Sequence, residues 1–338
     1  MTTKLQNGYT ARAATMDDLE TAVDLMNTFS RHYLSEDEAP LEAIRNEWQS
    51  PGFNPEKNIQ LVFTPEGQAV GYVEAWDTAN PPVHPWVWWC VHPEHARNGV
   101  GTYLLEWAEA RTRQAIPSCP EGARVAFRSG VDSVIEPSRA TMLAHGMQSI
   151  RINFQMRIEM EIPPLEPVWP EGITLKVFDL ERDSVADVYR ADLEAFRDHF
   201  GFVEQPFEEA LQRFSYFMLA EDSYAPGLWF LAMDGSQIAG FSLCRKQSFE
   251  DPEVGWVSSL GVLRPWRKRG IGLALLQHSF VELYRRGFRK VGLGVDGQNL
   301  TGALRLYKRA GMHVHRQFEL FEKELRSGKE ISVETLED

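Results

Sequence analysis

The chain has 338 residues, 43% of them hydrophobic and 25% charged, the balance of a soluble globular protein long enough for about two domains. A formal charge of −13 argues against nucleic acid as a partner, and no apolar run approaches the length of a membrane helix. The start Met1-Thr2-Thr3-Lys4 has no signal-peptide core, so a cytoplasmic setting is expected. Three widely spaced cysteines (Cys90, Cys119, Cys244) suggest neither a disulfide framework nor a CxxC metal site.

In chain order, residues 10–14 read as a first strand, and Asp17-Asp18 as the acidic start of a helical stretch from Leu19 to about Trp48. Glu66-Gly67-Gln68 is a hairpin turn leading into a strand. Trp86, Trp88 and Trp89 crowd the next strand, and a turn with two glycines, Val91 to Gly101, follows it. His92 and His95 lie in that turn without a third ligand close by, as do His313 and His315 later, so no metal site is expected. Residues 162–170 hold four prolines and read as a stiff linker.

Beyond the linker the same order returns. Residues 173–178 form a strand, Asp183-Ser184 starts a helical stretch to about Ala220, and Asp234-Gly235-Ser236 turns into a strand. Residues 256–262 form another strand, and Leu273, Leu276, Phe280 and Leu283 place a helix shortly after it. Between them lies Arg264-Pro265-Trp266-Arg267-Lys268-Arg269-Gly270-Ile271-Gly272. A turn of this kind aims backbone N–H groups and the positive end of a helix dipole at one point, and so cradles an anion. Gly270 and Gly272 let the backbone approach closely. A dinucleotide fingerprint would need glycine at Leu275, and a P-loop would need Gly-Lys-Ser or Gly-Lys-Thr; the chain has neither. Residues 290–295 read as a buried strand, and a helix bearing Ala303, Leu306, Tyr307 and Ala310 ends at Gly311.

The second half therefore repeats the first. Gly71 and Gly240, Gly99 and Gly270, and Gly146 and Gly311 are separated by 169, 171 and 165 residues, a near-constant offset that indicates duplicated domains. The copies differ in chemistry: Arg267 is matched by Ala96, with Arg97 displaced by one residue, and Tyr307 is matched by Met142.

Arg-x-x-Gly-x-Gly, followed by Asn299, Tyr307 and Gly311-Met312, resembles the acetyl-CoA signature of the GNAT N-acetyltransferase superfamily. The layout is similar to tandem members of the mycothiol synthase kind. The resemblance implies an α/β (α+β) chain of two tandem GNAT folds, each a mixed, mostly antiparallel sheet flanked by helices. It sets an N-terminal domain at 8–160, a linker at 161–171, a catalytic C-terminal domain at 172–326 and a tail at 327–338.

It also implies that acetyl-CoA is held by Leu260, Val262, Arg267, Lys268, Arg269, Gly270, Ile271, Gly272 and Asn299, with Tyr307 as general acid toward the leaving thiolate. Asn299 stands eight residues before Tyr307, one more than the common family spacing. In the first copy, Val91, Arg97, Asn98, Gly99 and Gly101 keep the backbone pattern of a pyrophosphate cradle but lack the phenol. The expected reaction is acetyl transfer to a primary amine of a small molecule, without metal, by a monomer (an internal pseudo-dimer) or a homodimer; the alternative is a non-catalytic acyl-CoA-binding protein. The base is open: the strand position where tandem relatives often carry a carboxylate is Trp256, and Glu250, Glu253, His199 or a water chain remain.

Overall fold

A computed structural model describes residues 5, 8–220, 224–298 and 302–334 of the chain. These divide into two compact units. The first contains β1 (Thr10–Ala13), α1 (Leu19–Leu34), α2 (Leu41–Trp48), α3 (Pro55–Asn58), β2 (Ile59–Phe63), β3 (Ala69–Trp76), β4 (Trp86–Val91), α4 (Val100–Thr112), β5 (Val125–Asp132) and α5 (Glu136–Ala144). Next come β6 (Gln148–Glu159), β7 (Ile173–Val177), α6 (Val185–Phe196), α7 (Phe207–Met218), β8 (Tyr224–Asp234), β9 (Gln237–Arg245), β10 (Val254–Val262), α8 (Ile271–Arg285), β11 (Lys290–Asp296), α9 (Ala303–Arg309) and β12 (His313–Arg326).

Each unit has one mixed sheet. In the first the order is β1-β2-β3-β4-β5-β12, antiparallel except for the β4–β5 pair. In the second it is β6-β11-β10-β9-β8-β7, antiparallel except for β10–β11. The sixth strand of each sheet comes from the far half of the sequence. Of the described residues, the first unit holds those up to Ile152 together with 318–331, and the second those from 153 to 317 together with 332–334. Linear ranges such as 8–160 and 172–326 do not describe this exchange, because an alternating strand reads the same whichever neighbour it pairs with.

The elements follow from local sequence. In α1, Ala22, Leu25, Met26 and Phe29 bury one face at helical spacing. In α6, the Ser184 hydroxyl caps the helix by accepting from the Asp187 N–H at 3.3 Å. The second sheet is covered on one face by α8, where Leu275, Leu276, Phe280 and Leu283 pack with Phe230 and Leu293. On the other face Val188 and Ala191 of α6 pack on Trp229, Phe241 and Leu243. Each such Leu or Phe contributes about 1.5–3 kcal/mol by leaving water. The two layers fix β10 and β11 in place, and the cleft opens between those strands.

Candidate active site

Strands β10 and β11 run parallel from Val254↔Lys290 to Val257↔Leu293 and then separate. The cause lies in β10, whose pairing with β9 slips by one residue between Val257 and Ser259, leaving Ser258 as a bulge. Beyond the bulge β10 stays with β9, and β11 stays with β6 through Gly294↔Gln155 and Val295↔Phe154. A cleft of about 1490 Å³ opens between them, lined by residues 257–262 on one wall and 293–296 on the other. Among the described residues the edge of β10 toward it has no strand partner, the arrangement that accepts an extended amide-bearing ligand as an added strand. Ser258 Oγ is buried and without a hydrogen-bond partner among the described residues, a polar atom awaiting a ligand.

At the mouth of the cleft the chain turns into α8. Lys268 and Gly270 both take left-handed backbone, φ 64° and 91°, and Gly270 caps the helix. The unpaired N–H groups of the first turn of this 15-residue helix face the opening, with its positive dipole end. Gly270 is glycine for its φ, since a Cβ there would meet nothing nearer than 4.0 Å. Gly272 is glycine for space: a Cβ would lie 3.0 Å from Leu306 Cδ1. The turn and the open strand edge fit a pyrophosphate-bearing ligand such as a coenzyme A thioester.

The expected cofactor residues of the second unit, Asn299 apart, have definite places. Leu260, Val262, Lys268, Arg269, Gly270, Ile271 and Gly272 all line the cleft. Arg267 lines it too, but its guanidinium is turned to the protein. It donates to Val262 O at 3.1 Å and Ala195 O at 3.0 Å and pairs with Asp198 at 2.8 Å. Arg264 pairs with the same carboxylate, and together the two guanidiniums hold Asp198 at about 2. Arg267 therefore braces α6 against the turn. Asn299 lies outside the described residues.

Tyr307, on α9, reaches the cleft wall with 7% of its surface exposed. Burial pushes its phenol up to about 12, so it keeps its proton at any ordinary pH. His199 also lines the cleft; burial and then the Arg267 charge lower its pKa, which favours the neutral imidazole. Glu250 instead accepts from Gln155 and Ser248, and Glu253 pairs with Lys290. Asp192 was not picked out from sequence, where it is one more charge on an amphipathic helix; it accepts a 2.6 Å hydrogen bond from Ser259, a cleft residue.

The corresponding turn of the first unit keeps the backbone and loses the space. Gly99 caps α4 with φ 77°. Strand β4 pairs with β3 in unbroken register from Trp76↔Trp86 to Gly71↔Val91, so no bulge forms. It pairs with β5 only at Trp86 and Val87, so these strands also part. The gap is filled by Trp89, at the position of Leu260 in the other copy, its ring so close that a Cβ on Gly101 would lie 3.1 Å away. Asn98 donates to the Tyr9 hydroxyl at 3.1 Å. Met142 is buried in α5, where the second unit has Tyr307. The structure also gathers Glu94 with His92 and His95, their ligand atoms within 4.8 Å of one another, a third ligand that the sequence reading overlooked.

Comparison with known proteins agrees with this geometry. The profile of the "Acetyltransferase (GNAT) family" matches residues 22–124 and 185–312. The chain is 31% identical over 222 residues to the mycothiol acetyltransferase of Thermomonospora curvata, covering 65% of this chain and 68% of the relative. It is 28% identical over 263 residues to that of Amycolatopsis mediterranei, covering 75% and 81%. A crystal structure of a GCN5-related N-acetyltransferase from Sphaerobacter thermophilus superposes with a TM-score of 0.80 at 34% identity, over 98% of this chain and all of the other. A tandem GNAT protein from the clavulanic acid biosynthesis pathway shares the fold, with a TM-score of 0.69 at 17% identity over 95% of this chain and 99% of the other. Two family matches in one sequence, a duplicated sheet order and an anion cradle at the head of α8 lead to one conclusion: the chain is a tandem member of the GNAT acetyltransferase family.

Proposed function

We propose that the protein transfers the acetyl group of acetyl-CoA to a primary amine on a small molecule, and that the second unit performs the reaction. The observation carrying this reading is the β10–β11 cleft, open beyond the Ser258 bulge and walled by Tyr307, against the filled gap in the first unit. The curated relatives named mycothiol acetyltransferase support a small-molecule acceptor. Acetyl-CoA, when bound, supplies a thioester already activated for attack by nitrogen. The turn from Arg269 to Gly272 holds the pyrophosphate on N–H groups, and the free edge of β10 aligns the arm so that the thioester sits beside the bulge.

Tyr307 works as a donor to the departing sulfur. Its pKa of about 12 lies well above the ordinary thiol value of about 8.5, so the phenol stabilises the developing thiolate by hydrogen bonding rather than by surrendering its proton early. A scaffold that only bound acyl-CoA would need no phenol there. The direct test incubates the purified chain with acetyl-CoA and a panel of primary amines, and follows thiol release and acetylated amine together. Matched formation of both supports the reading, and tight CoA binding without either product contradicts it.

A further inference from the structure

On α6, Asp192, Ala195 and Phe196 stand at i, i+3 and i+4, one stripe along the helix, and His199 follows just past its end. The last three line the cleft. β10 meets this stripe with alternate residues. A Cβ on Gly261 would lie 2.8 Å from Ala195, and Ser259, two residues earlier on the same side, donates to Asp192 Oδ1 at 2.6 Å. Asp192 is therefore the innermost member of the stripe, behind the hydroxyl that borders the bulge. Its Oδ2 has no hydrogen-bond partner among the described residues, and the side chain is only partly exposed.

The charges around it sharpen the point. Asp198, one turn and a half further on, is neutralised by Arg264 and Arg267. Around Asp192 are Ser259 on β10 and Tyr189 on its own helix; Arg213 on α7 acts on Tyr189 and donates to Gln205, and no cation among the described residues forms an ion pair with Asp192. A half-buried carboxylate without a cation, beside a reaction cleft, is complementary to a cation brought by a ligand.

We propose that Asp192, with Ser259, receives the ammonium group of the acceptor and takes its proton, which rests on the acetyl-transfer reading above and names the acceptor as a cationic amine. The carboxylate accepts one proton from the ammonium. The freed nitrogen lone pair forms the C–N bond as the C–S bond breaks, the sulfur leaves with a second nitrogen proton, and Asp192 returns its own proton to water. The surroundings suit this role. Burial raises the carboxyl to about 6, only partly offset by the Ser259 hydrogen bond, which makes it a better base than an ordinary aspartate while leaving it ionised at neutral pH. An acid must lose its proton before it can accept one, so activity should fall as pH drops through about 6.

The test measures kcat/KM against pH for acetylation of glucosamine, cysteamine, phenylethylamine and lysine ethyl ester, with product read by mass spectrometry. Asp192→Asn should lower kcat/KM by about 10²-fold or more and remove the limb near pH 6, leaving the fall set by the amine's own ionisation, with CoA affinity unchanged by calorimetry. Asp192→Glu should restore part of the rate. Ser259→Ala should move the limb to higher pH, because it removes a hydrogen bond that favours the ionised form. A limb near pH 6 that survives Asp192→Asn, or one removed by His199→Gln alone, overturns the proposal. If the wild type acetylates none of these amines, the amine reading falls, and the side-chain carboxyl carbon resonance of Asp192 in labelled protein decides separately. A titration midpoint near 6 that drops when saturating amine is added supports the ammonium site, and a midpoint in the ordinary aspartate range overturns it.

Discussion

Gly99 and Gly270 head equivalent helices in the two copies with φ of 77° and 91°; the Gly270 turn opens on the cleft, whereas Trp89 packs against the helix after Gly99. The difference lies in the strand before each turn. In the second copy a single extra residue, Ser258, breaks the pairing with β9 and redirects the strand, so that Ser259 faces α6 and Leu260 and Val262 line an empty slot. In the first copy the register is unbroken, and the positions of Ser259 and Leu260 are held by Trp88 and Trp89. One indole lies 5.8 Å from the Tyr72 ring, and the other packs on Gly101. A glycine turn is thus necessary for an anion cradle but not sufficient for a cofactor site. The gap behind it must also be free, and in the first copy Trp89 packs there.

The largest expected effect separates the copies by their helices. Tyr307→Phe should lower turnover by about 10²-fold with CoA affinity nearly unchanged, since the ring's packing is kept and only the donor is lost. The loss should be flat from about pH 6 to 10, because the phenol keeps its proton up to about 12. Met142→Leu, the corresponding change in the first copy, should leave turnover intact. Steady-state rates on both variants across pH would check this, and equal losses would break the comparison.

A smaller effect concerns the brace. Asp198 is held at about 2 by Arg264 and Arg267, below its unfolded value, so its contribution to stability is present above about pH 4 and is lost as pH falls toward 2. The melting temperature of Asp198→Asn should therefore lie below that of wild type at neutral pH, and the two should converge in acid. Replacing Ala96, which stands where Arg267 does in the other copy, should show no such pH dependence, since alanine makes no ion pair.

Much of this was legible in the sequence because it is local. The turn from Arg264 to Gly272, the strand before it and the helix bearing Tyr307 are each contiguous runs whose spacing alone declares them. The duplicated order followed from the same landmarks, and the mixed sheet from the family resemblance that they carry. What stayed hidden depends on partners distant in sequence. Asp192 meets Ser259 across 67 residues, and nothing in the pattern of α6 sets that carboxylate apart from its neighbours. Arg267 reads as a phosphate ligand in sequence, and its pairing with Asp198 and Ala195 O, some seventy residues away, has no local signal. The exchange of β6 and β12 between sheets leaves no trace in alternation, which records which face of a strand is buried and not which strand lies beside it.

The claim that one copy alone retains the cofactor site is tested most directly by calorimetric titration of CoA into the intact chain and into Gly270→Val and Gly99→Val. A β-branched residue at Gly270 must adopt a φ near 91° in which the turn's N–H groups lose their aim, whereas Gly99 heads a helix whose groove is already filled. The account predicts one CoA per wild-type chain, affinity reduced by about 10-fold to 100-fold in Gly270→Val, and unchanged binding in Gly99→Val. Two CoA molecules per chain, or a loss of affinity confined to Gly99→Val, would contradict it.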